Sequence, residues 1–235
     1  MNSLLLLTAV ASFGQTPAIE NYTQSNLRDV SFTAKVRSGN QSELRKINRD
    51  FGESYRFDYT HFKLKEPFKL RAESKVDDTD IVFILNGGTR VVRAPRQRIN
   101  LRTNVASKPG QRQTPLDFGF LTPSLVASFL DGKFVRNDRA TGDLVFDLTY
   151  DKKFDDRSRY RVWIDADKKV FTKREWYGQD GNLKATFIYA NPQQSNGCWI
   201  PSKVTVKNAD GKTAGETEYQ NIRANTGLDD SLFTP

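Results

Sequence analysis

The sequence predicts a mainly β fold, in which about ten or eleven antiparallel strands form one strongly curved sheet with a few helices across its open side. The stretch from Arg159 to Asn191 shows the pattern, because two turn signals divide it into three runs rich in aromatic and β-branched residues. The second turn contains Asp180-Gly181, a pair that tolerates the positive φ of a tight hairpin. Phe68 to Val76 alternates apolar and polar residues without error, which is typical of a strand with one apolar and one solvated face.

The N-terminal part of the chain predicts one helix followed by six strands. Thr16-Pro17 suits a helix start, and apolar residues follow at a loose helical spacing: Ile19, Tyr22, Leu27 and Val30. Runs of apolar residues then predict strands over residues 31–37, 54–65, 68–76, 81–85, 89–94 and 97–103. In the second of these the apolar face changes at His61-Phe62, as a β-bulge would require. We expect this histidine to be structural or solvent-facing.

The middle of the chain interrupts the strands. Val105 to Gly119 has no regular pattern and contains Pro109, Gly110 and Pro115, which predicts a loop or flap of about fifteen residues. Thr122 as N-cap, Pro123 at the first helical position and Gly132 at the end frame a short helix. Further strands are predicted over residues 133–138, 142–150, 159–165, 168–178, 182–190, 202–208 and 213–222.

A single sheet of this size must curl, and its apolar face needs a cover. Two short helices and one flap are too small to fill the space under such a sheet. The sequence therefore predicts a hydrophobic cavity, of a kind that suits an acyl chain or another apolar ligand. A well-filled sandwich would give the same strand pattern and stays open as the alternative.

Length and charge limit the organisation of the chain and its partners. Residues 15–235 fit a single domain, since all-β domains reach ~200–250 residues. The short apolar run from Leu4 to Val10 precedes small residues at Ser12 and Gly14, which predicts a signal peptide over residues 1–14 and a periplasmic or secreted protein. No Lys or Arg precedes that run, so a cytosolic tail is the alternative. The net charge of +8 favours anionic partners, or serves solubility alone.

The sequence contains few residues of the types that usually serve in catalysis or metal binding. The chain has one cysteine, Cys198, and one histidine, His61, which exclude an intramolecular disulfide and the usual Cys/His zinc sites. Neither lies in a nucleophile-like context. Asp165 and Asp167 occupy a tight turn without the remaining oxygen ligands of a calcium loop. We therefore expect no catalytic residue, no metal site and no cofactor.

Several segments, taken in order, are similar to those of one known family. Lys65-Glu66-Pro67-Phe68 ends a strand like the family's basic-Pro-x-x-aromatic segment, and Asn86-Gly87-Gly88 resembles its Asp-Gly-Lys turn. The C-terminal half carries the closest similarity: Val162-Trp163-Ile164-Asp165, Lys173-Arg174-Glu175-Trp176-Tyr177, Trp199-Ile200-Pro201, and the stretch from Asn225 to Phe233. In this order and spacing the chain resembles the LolA/LolB-like lipoprotein-carrier superfamily, the outer-membrane lipoprotein-sorting proteins among them.

The resemblance implies an incomplete β-barrel with helices as a lid, enclosing a hydrophobic cavity that takes acyl chains. Members of the family shuttle lipoproteins across the periplasm, and relatives with the same fold carry other lipids or sense envelope stress. Carriers of this kind have an Arg just before the proline that helps to hold the lid shut. Glu66 stands at that position here, and Lys65 and Arg71 are the candidates to replace the arginine.

The leading hypothesis is a periplasmic or secreted carrier that binds acyl chains of lipids or lipoproteins inside the bent sheet, under a lid formed by residues 105–132. The residues expected to line the cavity are Phe32, Val36, Phe62, Leu64, Phe68, Leu70, Ile84, Phe118, Leu121, Leu125 and Phe129. The basic surface would serve transient contact with anionic membranes, or with a donor or acceptor protein. We expect a monomer and no nucleic-acid partner. The alternatives are an envelope sensor or protein-binding module on the same fold, and an enzyme on this scaffold.

Overall fold

The computed structural model describes residues 16–76 and 78–235, and one antiparallel sheet of thirteen strands runs through them. In chain order the strands and α-helices are β1 (Asp29–Gly39), α1 (Gln41–Ile47), α2 (Arg49–Ser54), β2 (Tyr59–Lys65), β3 (Lys69–Val76), β4 (Thr79–Asn86), β5 (Thr89–Ala94), β6 (Ile99–Asn104), α3 (Pro123–Phe129), β7 (Leu130–Asn137), β8 (Leu144–Tyr150), β9 (Arg159–Asp165), β10 (Val170–Tyr177), β11 (Leu183–Ala190), β12 (Gln193–Ser195), β13 (Cys198–Ile200), β14 (Lys203–Asn208) and β15 (Thr213–Ala224). The predicted signal peptide over residues 1–14 lies outside the described residues.

The strand order in the sheet is β6-β5-β4-β3-β2-β1-β15-β14-β11-β10-β9-β8-β7. Pairing of β1 with β15 joins the N-terminal and C-terminal halves into one surface. The sheet is strongly curved but not closed, and β6 and β7 are its two free edges. The predicted mainly β fold with an open, curved antiparallel sheet is confirmed.

The expected total of about ten or eleven strands is too low. The individual runs predicted above number thirteen, more than that total, and each of them forms one strand of the main sheet. In addition β12 and β13 form a separate two-stranded hairpin. Each of these two strands is only three residues long, so no alternation can build up that a sequence pattern would reveal.

The predicted N-terminal helix is wrong. Only Ile19–Tyr22 forms a short 3-10 turn, and the chain then runs irregularly to β1. Gln24 explains the path, because its Nε2 donates to the carbonyl of Lys168 over 2.7 Å and its backbone N–H donates to Leu121 over 2.8 Å. These long-range bonds hold the segment across the turn after β9, so tertiary contacts replace those a helix would make.

Residues 40–58 also differ from the prediction. Asn40 and Asn48 cap two short helices, α1 and α2, since their side chains accept hydrogen bonds from the first-turn backbone N–H groups. The strand predicted over residues 54–65 therefore begins only at Tyr59. Its pairing with β1 and β3 is continuous, so the bulge predicted at His61-Phe62 is wrong. His61 is exposed, and its Nδ1 lies 3.0 Å from the hydroxyl of Thr33.

Helix α3 begins after Thr122, as predicted, but ends at Phe129 rather than at Gly132. The chain passes directly into β7, and Gly132 lies in that strand against Ile19, where an added Cβ would come within 2.4 Å of the isoleucine. None of the helices in the described residues is long and apolar enough to cross a membrane.

Candidate functional site

The concave face of the sheet carries a continuous apolar surface centred on β1. Phe32 is 3% exposed, and its ring centroid lies 5.4 Å from that of Phe62 and 5.1 Å from that of Phe118. On the other side Tyr219 of β15 lies 4.7 Å from Phe32. Strand alternation explains the surface, because the inward positions of β1 pair with those of both neighbouring strands.

Residues 105–132, which we call the lid, cover much of the concave face, and Phe51 of α2 and Tyr22 of the N-terminal segment cover further parts of it. The segment predicted as a loop folds back in two 3-10 turns, Pro109–Gln111 and Pro115–Phe118, and then continues into α3. The lid buries Val105, Leu116, Phe118, Phe120, Leu121, Leu125 and Phe129. Phe171 of β10 donates its backbone N–H to Gly119 over 2.7 Å, which anchors the middle of the lid to the sheet.

The space between the lid and the sheet is filled by side chains. Among the described residues, the crevices at the lid include two narrow ones. The Tyr150 crevice, about 10 Å³, is lined by Pro109, Arg112, Thr114, Leu116, Leu125, Phe129, Leu130 and Tyr150. The Glu66 crevice, about 20 Å³, is lined by Leu64, Glu66, Phe68, Lys69, Leu70, Leu85, Arg112, Gln113, Thr114 and Pro115. Each has room for roughly one water molecule, so an acyl chain enters only if the lid or the interior side chains move.

Most of the predicted cavity residues lie on the concave face or the lid. Phe32, Leu64, Leu70, Phe118, Leu121, Leu125 and Phe129 are buried there, and Phe62 and Phe68 pack against the same core while partly exposed. Val36 is half-buried near the end of β1. Phe68 meets the lid directly, with its ring 5.0 Å from that of Phe129.

Ile84 is placed differently from the prediction, on the convex face. It pairs with Arg71 and Val91, whereas the adjacent Leu85 pairs with the inward Leu70. Because side chains alternate between faces along a strand, Ile84 points away from the lid. It is fully buried. A strand apolar on both faces gives no sequence signal of which face is concave, which explains the error.

Glu66 lies where the β2–β3 turn meets the lid. The hydroxyl of Ser124 in α3 donates a hydrogen bond to Oε2 of Glu66. Burial raises the pKa of Glu66 to about 7, although a hydrogen bond from Thr122 opposes the shift. This residue therefore contacts the lid, as its position before Pro67 suggested, but through hydroxyl groups of the lid helix.

Lys65 and Arg71 do not contact the lid in this structure. Nζ of Lys65 donates to the carbonyl of Leu228 over 2.7 Å and pairs with Asp230 over 2.7 Å. Arg71 donates to the carbonyl of Leu232 over 3.0 Å. Both side chains point to the convex face and fix the C-terminal segment there. The expectation that one of them replaces the family's lid arginine is not met, because strand alternation directs them outward.

One inward residue was missed by the sequence analysis. Arg174 of β10 pairs with Val162 and Phe187 on the concave face and is 3% exposed. Its guanidinium lies 4.0 Å from the ring centroid of Phe187 and donates to Oδ1 of Asp117 in the lid over 3.1 Å. The signal was present in the sequence: within Lys173-Arg174-Glu175-Trp176, alternation puts Arg174 on the face of Trp176.

The described residues contain no group of three or more His, Cys, Asp or Glu side chains that could hold a metal ion. Cys198 is buried beside Asn225, and burial raises the pKa of its thiol. A thiol of this kind is a poor nucleophile at neutral pH.

Comparison with solved structures finds the same fold in three bacterial proteins. A putative outer membrane lipoprotein-sorting protein domain from Vibrio parahaemolyticus has a TM-score of 0.62 at 14% identity, over 92% of this chain and 93% of that one. A LolA superfamily protein from Nitrosomonas europaea has a TM-score of 0.61 at 15% identity, over 92% and 94%. A DUF1329 family protein from Desulfovibrio piger has a TM-score of 0.61 at 14% identity, over 92% of each chain.

At these identities the likeness shows the fold alone, and at that level the predicted resemblance to the LolA/LolB-like superfamily is confirmed. A protein-family model described as "-like: Uncharacterized protein" matches residues 131–235, less than half of the chain. None of the curated proteins compared with the sequence matches it.

Proposed function

We propose that this chain is a carrier that binds acyl chains of lipids or lipoproteins between the concave face of its sheet and the lid. One observation carries the proposal: the large apolar concave surface is covered by short helices and irregular segments rather than by a second sheet. The lid supplies Phe118 and Phe129 to this cover, and Phe51 of α2 and Tyr22 of the N-terminal segment pack beside it. A cover of this kind can move away while the sheet stays paired. The folds shared with a lipoprotein-sorting domain and with a LolA superfamily protein support a periplasmic location and a carrier rather than a catalytic role.

In this proposal binding begins with displacement of the lid. The crevices at Glu66 and Tyr150 are gaps at the lid through which a chain could begin to enter. A chain that enters there would meet Phe68 and Phe129 first, and then replace the contacts of Phe118 with Phe32 and Phe62. The buried apolar surface area stays nearly constant in this exchange, so the free-energy cost is limited to ordering the ligand and moving the lid.

The test has two parts. Protein purified from its natural host is analysed by native mass spectrometry, and its organic extract is searched for acylated species. Stripped protein is then titrated with palmitate, a phospholipid and a diacylated lipopeptide. A co-purified acylated molecule, or saturable binding of one of these ligands, is the expected result. Protein that is empty and takes up none of them contradicts the proposal.

A matched pair of variants separates binding from stability. Leu70 and Ile84 are both fully buried, but on opposite faces of neighbouring strands. Leu70→Ala and Ile84→Ala are each expected to lower the free energy of unfolding by about 2–5 kcal/mol. Only Leu70→Ala is expected to change acyl-chain affinity, because only this side chain faces the lid. Equal effects of both variants on affinity would argue against the concave site.

The filled interior favours one second candidate, an envelope sensor or protein-binding module that uses the same fold without a lipid. Empty protein that captures one defined protein partner from a periplasmic extract would support that function instead.

A further inference from the structure

We infer that the carrier site binds the head group of its ligand as well as the acyl chain. Arg174 forms an inner subsite for a carboxylate, and the ligand is a single acyl chain that ends in a carboxylate. The inference rests on the proposed function, because it assumes that a chain enters under the lid. Arg174 places a cation in an otherwise apolar interior. Placing a charge there is unfavourable unless an anion accompanies it.

The anion that accompanies Arg174 comes from the lid. Asp117 sits in the 3-10 turn Pro115–Phe118, and its Oδ1 accepts from Arg174 over 3.1 Å. The two partners differ in exposure: the side chain of Asp117 is 34% exposed and that of Arg174 only 4%. Arg174 is therefore part of the interior, whereas Asp117 is part of the lid. When the lid moves out, Asp117 leaves with it and Arg174 stays behind.

Arg174 also has donor capacity that the closed structure does not use. Its Nε is buried and has no hydrogen-bond partner, a state that is rare for a buried polar atom. The face of the guanidinium is fixed by Phe187, 4.0 Å away. The guanidinium is held in place and incompletely paired, and lid opening would release it from Asp117. It can then donate hydrogen bonds to another carboxylate.

Neighbouring tyrosine side chains link the Tyr150 crevice to this subsite. Tyr150 lines the crevice at the lid edge, and its hydroxyl lies 3.1 Å from that of Tyr160. The ring of Tyr160 lies 5.6 Å from the guanidinium of Arg174. Beyond it Tyr189 donates to the backbone carbonyl of Asp117 over 3.3 Å. Tyr160 and Tyr189 thus lie next to the arginine within an apolar wall, an arrangement that suits a polar head with an aliphatic chain attached.

The experiment compares palmitate with hexadecanol, which has the same chain and no charge, by displacement of the neutral dye Nile red at pH 8.5. We expect the protein to bind palmitate about tenfold more tightly than hexadecanol, and Arg174→Met to reduce palmitate affinity to that of hexadecanol. Arg174→Lys keeps the charge and should keep a preference for the acid. Asp117→Asn removes the competing carboxylate while retaining an acceptor for the Thr114 N–H, so palmitate affinity should rise several-fold with hexadecanol unchanged.

Arg161→Met is the matched control, since this arginine lies on the neighbouring strand β9, faces outward and is bound by Asp147. Its preference for palmitate should equal that of the unaltered protein. Equal binding of acid and alcohol by the unaltered protein, or an acid preference that survives in Arg174→Met, would overturn the inference. If a diacylated lipopeptide still binds in either case, the carrier function stands and only the carboxylate subsite fails. If no acylated ligand binds at all, both fail.

Discussion

Glu66 is a carboxyl group held in a partly buried position where the β2–β3 turn meets the lid, and no cation among the described residues pairs with it. Its pKa rises from 4.5 to about 7 in the folded protein because burial disfavours the charged form. The folded state therefore holds this proton more tightly than the unfolded state. Its contribution to stability is complete below pH 4.5 and disappears as the pH rises through about 7.

The first prediction follows from this loss of stability as the pH rises. Glu66→Gln keeps the side chain neutral at every pH, so it should raise the free energy of unfolding at pH 8 by on the order of 1–2 kcal/mol relative to the unaltered protein. The slope of stability against pH between 4.5 and 7 should become flatter. Urea unfolding at half-unit pH intervals measures both effects.

Glu73 provides the control, because it lies on the convex face with Arg71, two positions further along β3, and its pKa is lowered to about 2. Burial alone would raise that pKa, but hydrogen bonds from Arg71 and Lys63 outweigh it. Glu73→Gln should therefore lower stability at neutral pH and leave the slope between pH 4.5 and 7 in place. A slope that persists in Glu66→Gln would show that Glu66 does not titrate in this range.

Residue roles at this site were predictable only in part. The family resemblance assigns a lid contact to an arginine at the position before Pro67, and Glu66, which stands there instead, accepts a hydrogen bond from Ser124. Which hydroxyls it meets depends on how α3 docks, and no local pattern encodes that. Lys65 and Arg71 face outward by strand alternation, a conclusion that required knowing which face of β2 and β3 is concave. Alternation could have placed Arg174 on the face of Trp176, but its partner Asp117 lies 57 residues away, where no local pattern reveals the pairing.

At the scale of elements, the attachment of the lid depends on Gly119. This glycine has a φ of +91°, in the region that side chains with a Cβ rarely adopt. An added Cβ would lie 2.6 Å from the ring of Tyr189 and 2.9 Å from Pro201. Its carbonyl accepts the hydrogen bond from Phe171 that ties the lid to β10. Backbone conformation and close packing both require glycine at this point.

Gly119→Ala should therefore destabilise the protein by about 3 kcal/mol or more, the sum of a backbone term and a steric term. Gly142→Ala isolates the backbone term, because Gly142 has a φ of +79° and nothing within 4 Å of its added Cβ. We expect a loss of about 1 kcal/mol there. Thermal unfolding of both variants makes the comparison, and similar losses would mean that the contact with Tyr189 and Pro201 adjusts without cost.

Sequence patterns located the regular strands well because alternation and turn residues are local signals. Strands β3, β5, β9 and β11 lie within one or two residues of their predicted limits. The N-terminal helix was wrong because Gln24 bonds to backbone groups more than 140 positions away, which no local pattern contains. Helices α1 and α2 carried a usable signal, the capping side chains Asn40 and Asn48, in a stretch with little apolar periodicity.

At the scale of the whole molecule, an open sheet leaves two edges with different charge. Residues 89–104, which form β5, β6 and the turn between them, contain five arginines and no Asp or Glu. Leu101 of the edge strand β6 is 60% exposed beside Arg102. At the opposite edge β7 holds two basic residues and one acidic residue, and Arg136 pairs with Asp138 over 3.8 Å. Of the five arginines near the β6 edge, Arg96 has a comparable partner, Asp78 at 4.0 Å. The net charge of +8 is thus unevenly distributed over the surface.

If the protein meets anionic membranes, the β6 edge is where we expect contact, because clustered arginines attract acidic headgroups and an exposed leucine can enter the interface. Co-sedimentation with vesicles containing phosphatidylglycerol should fall by about tenfold or more when salt rises from roughly 50 to 300 mM. The double variant Arg98→Glu/Arg102→Glu should lose most of the low-salt binding. Lys133→Glu/Arg136→Glu at the β7 edge changes the net charge equally and should retain it. Equal losses in both variants would mean that only net charge matters, and that the open sheet presents no preferred edge to a membrane.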